Sequence, residues 1–443
     1  MAGLENMAQK LTQVAVIGAG YAGVAAAVEL TARGIPVALF ESSRQLGGRA
    51  RAVEVHGTRL DNGLHILLGA YRETLRLMQL VGADAERNLL RRPLTLAYPG
   101  ELHLAAPRLP APLHMLAALL TARGLGWLER IAAVRFIQAL KRCDFKLVAD
   151  ITVNSLLDAH TQPLRLRDYL WEPLCVAALN TPAREASAQV FMNVLRDSLA
   201  AERAASDLLL PRVDLSALFP DIAAAYIETH GGEVLRNTPI RQLSLENAAY
   251  LLQGAGNEYG PYSHVIIAVA PYHLATLIGN LPRLDALGKI VADFSYQPIV
   301  TCYLAYPTQV GLPHPMLGHA HGITQWLFDR GQLGGPAGLL AAVISAQGRH
   351  LALSHHELAA RIHSEIADVI AGLPAPLWSQ VIVEKRATFS CTPDLMRPAT
   401  LTPLPGLLLA GDYVAGDYPA TLEAAVRSGV AAAASIIHQT SAG

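Results

Sequence analysis

Apolar positions are arranged most regularly near the start of the chain. Val14-Ala15-Val16-Ile17 is an unbroken apolar run, the pattern of a strand covered on both faces. It passes directly into Gly18-Ala19-Gly20-Tyr21-Ala22-Gly23, where a helix is predicted from about Tyr21 to Arg33, stopping at Gly34. A second apolar run, Val37 to Phe40, ends in Glu41. Further on the period lengthens. Leu113, Leu116, Leu119 and Leu120 recur at helical spacing, Gly124-Leu125-Gly126 interrupts, and Leu128, Ile131, Val134 and Ile137 resume. Arg130, Arg135, Lys141 and Arg142 lie off that stripe. Later, Ala223 to Ile227 has a helical pattern closed by Gly231-Gly232, and the strand Glu233 to Arg236 follows. Val265 to Ala270 and Leu407 to Leu409 are two more buried-strand runs, the second leading through Gly411-Asp412 to a helix opening within 420–429. Gly254 to Gly260 is glycine-rich, but it joins two short apolar stretches and reads as a hairpin turn.

Strand, glycine turn, helix, then an acid eighteen residues after Gly23 form a dinucleotide-binding pattern. Gly18 and Gly20 permit a tight turn and close approach to a pyrophosphate, Tyr21 and Ala22 open the helix, and Gly23 lets that helix pack on the strand. Glu41 is placed to accept hydrogen bonds from a ribose while helix N–H groups hold phosphate. Arg44, Gly47, Gly48 and Arg49 follow at once. A second glycine pair of this kind closes over the pyrophosphate of FAD, with arginine adding charge to the clamp. At the far end, Gly411 and Asp412 are placed for ribityl hydroxyls, and the helix opening at Thr421 and Leu422 points its positive end at the flavin. No cysteine stands in that C-terminal stretch, so FAD is expected to be held non-covalently.

Together these motifs resemble the amine oxidase/phytoene desaturase superfamily. Two more stretches, Leu60-Asp61-Asn62-Gly63-Leu64-His65 to Arg72 and Trp171-Glu172-Pro173 to Pro182, resemble the bacterial hydroxysqualene dehydroxylases. The resemblance implies an α/β fold with a Rossmann-like FAD-binding domain and an inserted α+β substrate domain. The FAD domain would be assembled from residues 11–90, 214–271 and 395–443, the substrate domain from 91–213 and 272–394. Val234 or Leu235 is the kind of position whose backbone meets the adenine. The implied activity is FAD-dependent reductive dehydroxylation of hydroxysqualene to squalene, a step of hopanoid biosynthesis; an oxidative carotenoid or squalene desaturase shares the same FAD motifs. Protonation of the leaving hydroxyl needs an acid, and His65, Glu172 and Asp61 are the candidates from the two specific stretches. Trp171, Tyr71 and Tyr418 are candidates to face a developing cation. The family usually carries Gln where this chain has Leu64, so a role for that amide does not transfer.

Composition narrows the partners. The chain has 443 residues, 52% of them hydrophobic, enough for a large core in two domains. Its 35 basic and 36 acidic residues carry no long run of one sign, which argues against nucleic acid as partner. Cys143, Cys175, Cys302 and Cys391 lack paired spacing, and the histidines lack ligand spacing, so neither disulfides nor a metal site is expected. No apolar run reaches the roughly 18 to 20 residues that span a bilayer. A cytoplasmic protein is expected. The basic amphipathic segment 113–142 admits two readings: it covers the substrate domain's core, or it contacts the inner face of the membrane, from which a C30 isoprenoid would arrive. No second nucleotide domain is visible, which leaves the electron donor open.

Overall fold

The computed structural model describes residues 13–200 and 202–441. Residues 11–12 and 442–443, at the outer ends of the expected FAD-binding pieces, and residue 201 lie outside the described residues.

Val14–Ile17 (β1) turns into Tyr21–Ala32 (α1), and Val37–Phe40 (β2) follows. Every residue of both strands is buried. Gly18 has φ +104°, and a Cβ there would stand 2.7 Å from the Ala268 carbonyl oxygen. A Cβ on Gly23 would stand 1.9 Å from the Gly18 oxygen. Only glycine fits at either position, and the close packing of α1 on the turn depends on it.

Leu113–Thr121 (α2) and Trp127–Arg142 (α3) occupy the amphipathic segment, but the stripe is turned over in part. Leu119 points inward with Ala118, and α3 buries Ala133, Phe136 and Leu140. Leu113, Leu116, Leu120 and Ile131 are exposed, as are Trp127 at 67% and Leu128 at 83%. The residues of α2 are apolar nearly all round, so spacing alone could not select the inward stripe. Small Ala118 and Ala133 let the backbones sit close to the core, leaving the leucines outside. Arg130 fastens the two helices, donating to the carbonyls of Leu120 (2.6 Å), Ala122 (2.8 Å) and Leu125 (3.2 Å).

Glu172–Leu179 (α4) and Ala188–Leu195 (α5) lie further along the chain. Then follow Glu233–Leu235 (β3) and His264–Ile267 (β4). Between those two, the strands 249–253 and 258–262 pair antiparallel, and Gly254 N–H donates to the Asn257 carbonyl, so the glycine-rich stretch is a hairpin turn. Tyr296–Ala305 (β5), Met316–Gly318 (β6), Trp326–Asp329 (β7), Leu339–Ser345 (β8) and Trp378–Phe389 (β9) precede Leu407–Leu409 (β10) and Leu422–Ser441 (α6).

Two five-stranded sheets organise the molecule. The first has the order β3-β2-β1-β4-β10 and is parallel at each pairing. The second has the order β6-β7-β8-β5-β9 and is antiparallel throughout. The parallel sheet is covered by α1 and α6, which approach so closely that a Cβ on Gly429 would stand 2.1 Å from the Ala22 oxygen. That contact carries the start of α6 toward the carboxyl edge of the parallel sheet, where open α/β sheets bind ligands. Among the described residues, no helix is long and apolar enough to cross a membrane.

Candidate active site

A cavity of about 700 Å³ starts at the carboxyl ends of β1, β2 and β4 and continues over one face of the antiparallel sheet. One end is built of backbone and charge. Gly47 N–H donates to the Ala19 carbonyl at 2.9 Å, which lays the second glycine pair against the first turn. A Cβ on Gly20 would meet only the Gly48 Cα, at 3.9 Å, and would otherwise fill the cleft between them. α1 has no side-chain cap and no acid in its first turn, so its leading N–H groups remain available to an anion. Glu41 Oε2 accepts from Ala19 N–H (2.9 Å), while Oε1 accepts from Ser43 N–H (2.9 Å) and Ser42 Oγ (3.0 Å). A carboxylate has about four lone-pair sites, so roughly one is left for a ligand hydroxyl.

Arg49 spans the site. Its Nη1 donates to the Ala387 carbonyl at 2.5 Å, and Nη2 reaches both Asp412 oxygens at 2.7 Å. This joins the glycine pair to β9 and to the turn after β10. Arg51 Nη1 holds the Gly48 carbonyl at 2.7 Å. At the start of α6, Thr421 Oγ1 accepts from Ala424 N–H at 3.1 Å, an N-terminal cap. Ser428 Oγ accepts from Gly411 N–H at 2.7 Å, fixing the turn before the helix. Glu423, which had no motif to mark it, is buried and takes Glu73 N–H (3.1 Å), Thr74 N–H (3.0 Å), Thr74 Oγ1 (2.7 Å) and Arg427 Nε (2.8 Å). It ties α6 to the helix carrying the end of the 60–72 stretch.

Twelve of the expected cofactor residues line this cavity: Gly18, Gly20, Tyr21, Ala22, Glu41, Gly47, Gly48, Arg49, Gly411, Asp412, Thr421 and Leu422. Gly23 sits one residue deeper in α1, where its role is the close packing described above. Val234 pairs with Leu39 at the flank of β2, and its side chain packs among the core residues, not in the cavity wall. Arg44 is exposed and outside the wall; its carbonyl meets Arg236 at 3.4 Å.

The three expected acids part company. His65 lines the cavity. Its Nδ1 lies 2.8 Å from the Gly63 carbonyl, which can only accept, so Nδ1 carries the proton and Nε2 is the ring atom left for chemistry. Burial pulls its pKa below the ordinary histidine value, the Gly63 carbonyl works against that, and Arg49 adds to the lowering. Asp61 faces the other way. Its Oδ1 accepts from Leu215 N–H at 2.8 Å, at the head of a short helix, and burial pushes its pKa up to about 6. Strand alternation explains this, since the next residue, Asn62, is the one that faces the cavity. Glu172 is also outside the wall. On α4 the lining residues are Leu174, Ala177 and Ala178, and a position two before Leu174 falls on the opposite side of the helix. Trp171 is core: its Nε1 donates to Gln162 Oε1 at 2.9 Å and its ring meets Phe136 at 5.0 Å. Tyr71 and Tyr418 do line the cavity, and the Tyr418 hydroxyl donates to Asp197.

Sequence reasoning missed the polar group opposite His65's stretch. Asn62 Nδ2 donates to Glu384 Oε2 at 3.1 Å and to the Arg49 carbonyl at 3.2 Å, and Glu384 and Thr388 line the cavity from β9. The only local signal was an acid ending the apolar run Val381-Ile382-Val383. Most of the remaining wall is hydrocarbon, with Leu64, Ile66, Leu94, Leu96, Phe191, Val194 and Leu195 on one side and Ile299, Met316, Trp326, Phe328 and Val343 on the other; Asn180, Asp197, Ser198, Ser206, His273 and Ser345 are polar residues that also line it.

The cradle of bare glycines, the open helix end and the remaining acceptor of Glu41 fit a dinucleotide, and the arginine-braced turn at Asp412 fits the rest of FAD. Residues 21–437 match the family of flavin containing amine oxidoreductases. The hydroxysqualene dehydroxylase of Rhodopseudomonas palustris is 31% identical over 95% of this chain and 97% of its own. A zeta-carotene desaturase of Solanum lycopersicum is 25% identical over 96% of this chain and 80% of its own. In fold, an oxidoreductase from Methanosarcina mazei superposes with a TM-score of 0.74 at 16% identity, covering 96% of this chain and 100% of its own. The chain belongs to the hydroxysqualene dehydroxylase family within the flavin containing amine oxidoreductases, and it is an FAD-dependent oxidoreductase.

Proposed function

We propose that the protein reduces hydroxysqualene to squalene. The observation that carries this reading is the continuity of one cavity, in which the nucleotide cradle opens into a hydrocarbon chamber with His65 in its wall. His65, doubly protonated, gives its Nε2 proton to the allylic hydroxyl; the C–O bond breaks and water departs. The lowered pKa makes the imidazolium a stronger donor than an exposed one. Tyr71 and Tyr418, both in the cavity wall, offer π faces to the positive charge that develops. When bound, reduced FAD supplies the hydride that completes the new C–H bond. Alcohol, one proton and one hydride thus give hydrocarbon and water. The relation to zeta-carotene desaturase keeps an oxidative desaturation as the competing reading, because it would use the same cofactor cradle.

The reading includes peripheral membrane contact. An isoprenoid of this size is insoluble, and α2 and α3 turn Leu113, Leu116, Leu120, Trp127, Leu128 and Ile131 outward. Exposed Arg123, Arg135, Lys141 and Arg142 stand in the same segment, the combination expected of an interfacial helix pair on anionic lipid.

Anaerobic single turnover tests the reaction. Photoreduced enzyme mixed with hydroxysqualene is expected to reoxidise its flavin and release squalene. His65→Gln should slow that step by about 10² to 10⁴-fold with FAD retained. Loss in Glu384→Gln with His65→Gln unaffected would move the proton to Glu384. Absence of squalene, or conversion of squalene to a more unsaturated product by oxidised enzyme, would replace this reading with the desaturase.

A further inference from the structure

We infer that the antiparallel sheet gauges the substrate: one hydrocarbon arm lies across β5, β8, β7 and β6, and Trp326 with Met316 closes its far end. The inference rests on the isoprenoid reading above and adds what sets chain length. Direct cross-strand partners share one face of a sheet. Ile299 is the partner of both Glu384 and Ser345, Val343 of Trp326, and Phe328 of Met316. All of these line the cavity, so its floor is a single sheet face.

Polar residues on that face are concentrated at one edge. The β9 edge carries Glu384 and Thr388, with Asn62 bonded to Glu384 at 3.1 Å. Across the strands the floor becomes Ile299, Val343, Trp326, Phe328 and Met316, with Ser345 on β8 as a polar residue among them. An arm running along β9 would lie against a carboxylate and a hydroxyl; an arm crossing the strands leaves only its oxygen there. Four intervals separate β9 from β6, which at about 4.8 Å each is roughly 19 Å.

The far end is a wall with firm backing. Trp326 is only 6% exposed and its ring lies 5.9 Å from Tyr98, which meets Tyr169 edge-on at 5.5 Å. At Gly318, the partner of Trp326 on β6, a Cβ would stand 2.4 Å from the Tyr98 ring. The Tyr98 ring thus backs the indole, whose position sets the length in front of it. Met316, unbranched and adaptable, trims the remaining space.

The test uses holoenzyme with hydroxysqualene analogues whose arm is one isoprene unit shorter or longer. Trp326→Ala should raise kcat/KM for the longer analogue relative to hydroxysqualene, and Met316→Phe should raise it for the shorter one. Each shift should be at least about tenfold, carried mainly by KM, since a pocket discriminates by about that factor even for a single methylene. FAD content should match wild type in both variants. A parallel titration follows the flavin absorbance as squalene and its shorter and longer homologues are added. If hydroxysqualene is not turned over but the homologues' affinities shift in opposite directions in the two variants, the reaction reading fails and the gauge stands. If the variants turn over hydroxysqualene with wild-type length preference, the gauge is overturned.

Discussion

The two ends of the cavity are built in different ways. At the cofactor end the working groups are backbone N–H donors, bare glycines and two carboxylates, nearly all within short stretches: 18–23, 41–49 and 411–422. At the hydrocarbon end they are side chains from separate strands and helices, aligned only by register and helical phase. The first kind of site leaves no room for an added atom at Gly18, Gly23 or Gly47, because backbone approaches backbone there. The second tolerates many apolar substitutions provided volume is kept. Close fit and adaptability therefore live at opposite ends of one cavity.

The strongest way to break that contrast is to change each end by one methyl group. Gly23→Ala places a Cβ 1.9 Å from the Gly18 oxygen, with no flexible side chain to move aside. Forcing the backbone apart costs more than the usual 1 to 3 kcal/mol or so of overpacking. Loss of both bound FAD and a cooperative melt is expected, measured by flavin absorbance in the purified protein and by thermal unfolding. Ile299→Val, which removes a methylene-sized group from the sheet floor, should cost only about 0.5 to 1.5 kcal/mol and leave FAD in place. Equal effects from the two substitutions would erase the distinction.

The same difference explains what could be read from the sequence. Glu41 and the glycine pairs were legible because their pattern depends on spacing within one strand–turn–helix unit, and the folded chain puts them in a single cavity wall. Gly411, Asp412, Thr421 and Leu422 were legible for the same reason. Glu384 was not, because its importance comes from sharing a sheet face with Ile299, eighty-five positions earlier, a pairing no local pattern shows. Asp61 and Glu172 lie beside the cavity but outside its wall: one residue along a strand, or two along a helix, turns a side chain away. The stripe on α2 failed differently. With apolar residues on nearly every side, the choice of inward face was made by Ala118 and its fit to the core.

A milder perturbation, pH, sharpens the comparison because His65 titrates in the cavity wall, which His273 also lines. Its pKa is lowered in the folded protein from the ordinary 6.5. The native state is thus neutral at His65 in a pH window where the unfolded chain already binds the proton. Stability from this group is complete above about 6.5 and falls as pH drops toward the folded pKa, then levels off. Activity should run the other way, since only the protonated ring can supply the acid. Single-turnover rate should rise, up to about tenfold per pH unit, over the window in which stability declines. His65→Gln should remove its share of both slopes. A rate that stayed flat or fell on acidification, in protein still folded by circular dichroism, would dissociate His65 from proton delivery.

The smallest effect on stability is expected on the outer surface, where a third kind of construction appears. Leu116 and Leu120 are exposed at 39% and 41% on α2, and neither contributes to the buried face formed by His114, Ala118 and Leu119. Replacing both by Glu should therefore change unfolding free energy by no more than roughly 0.5 kcal/mol each, the usual scale for surface positions. Membrane binding should respond far more strongly. Each substitution removes apolar area from the interface and sets a negative charge against anionic headgroups, opposing the Arg123 and Arg135 charges nearby. Flotation with vesicles containing phosphatidylglycerol should carry wild type upward and leave the double variant behind, and high salt should weaken wild-type binding by screening the basic rim. Equal flotation of the two folded proteins would assign the outward leucines no part in lipid contact. A large loss of stability instead would show that this face is covered in solution, and the search would turn to the protein surface that covers it.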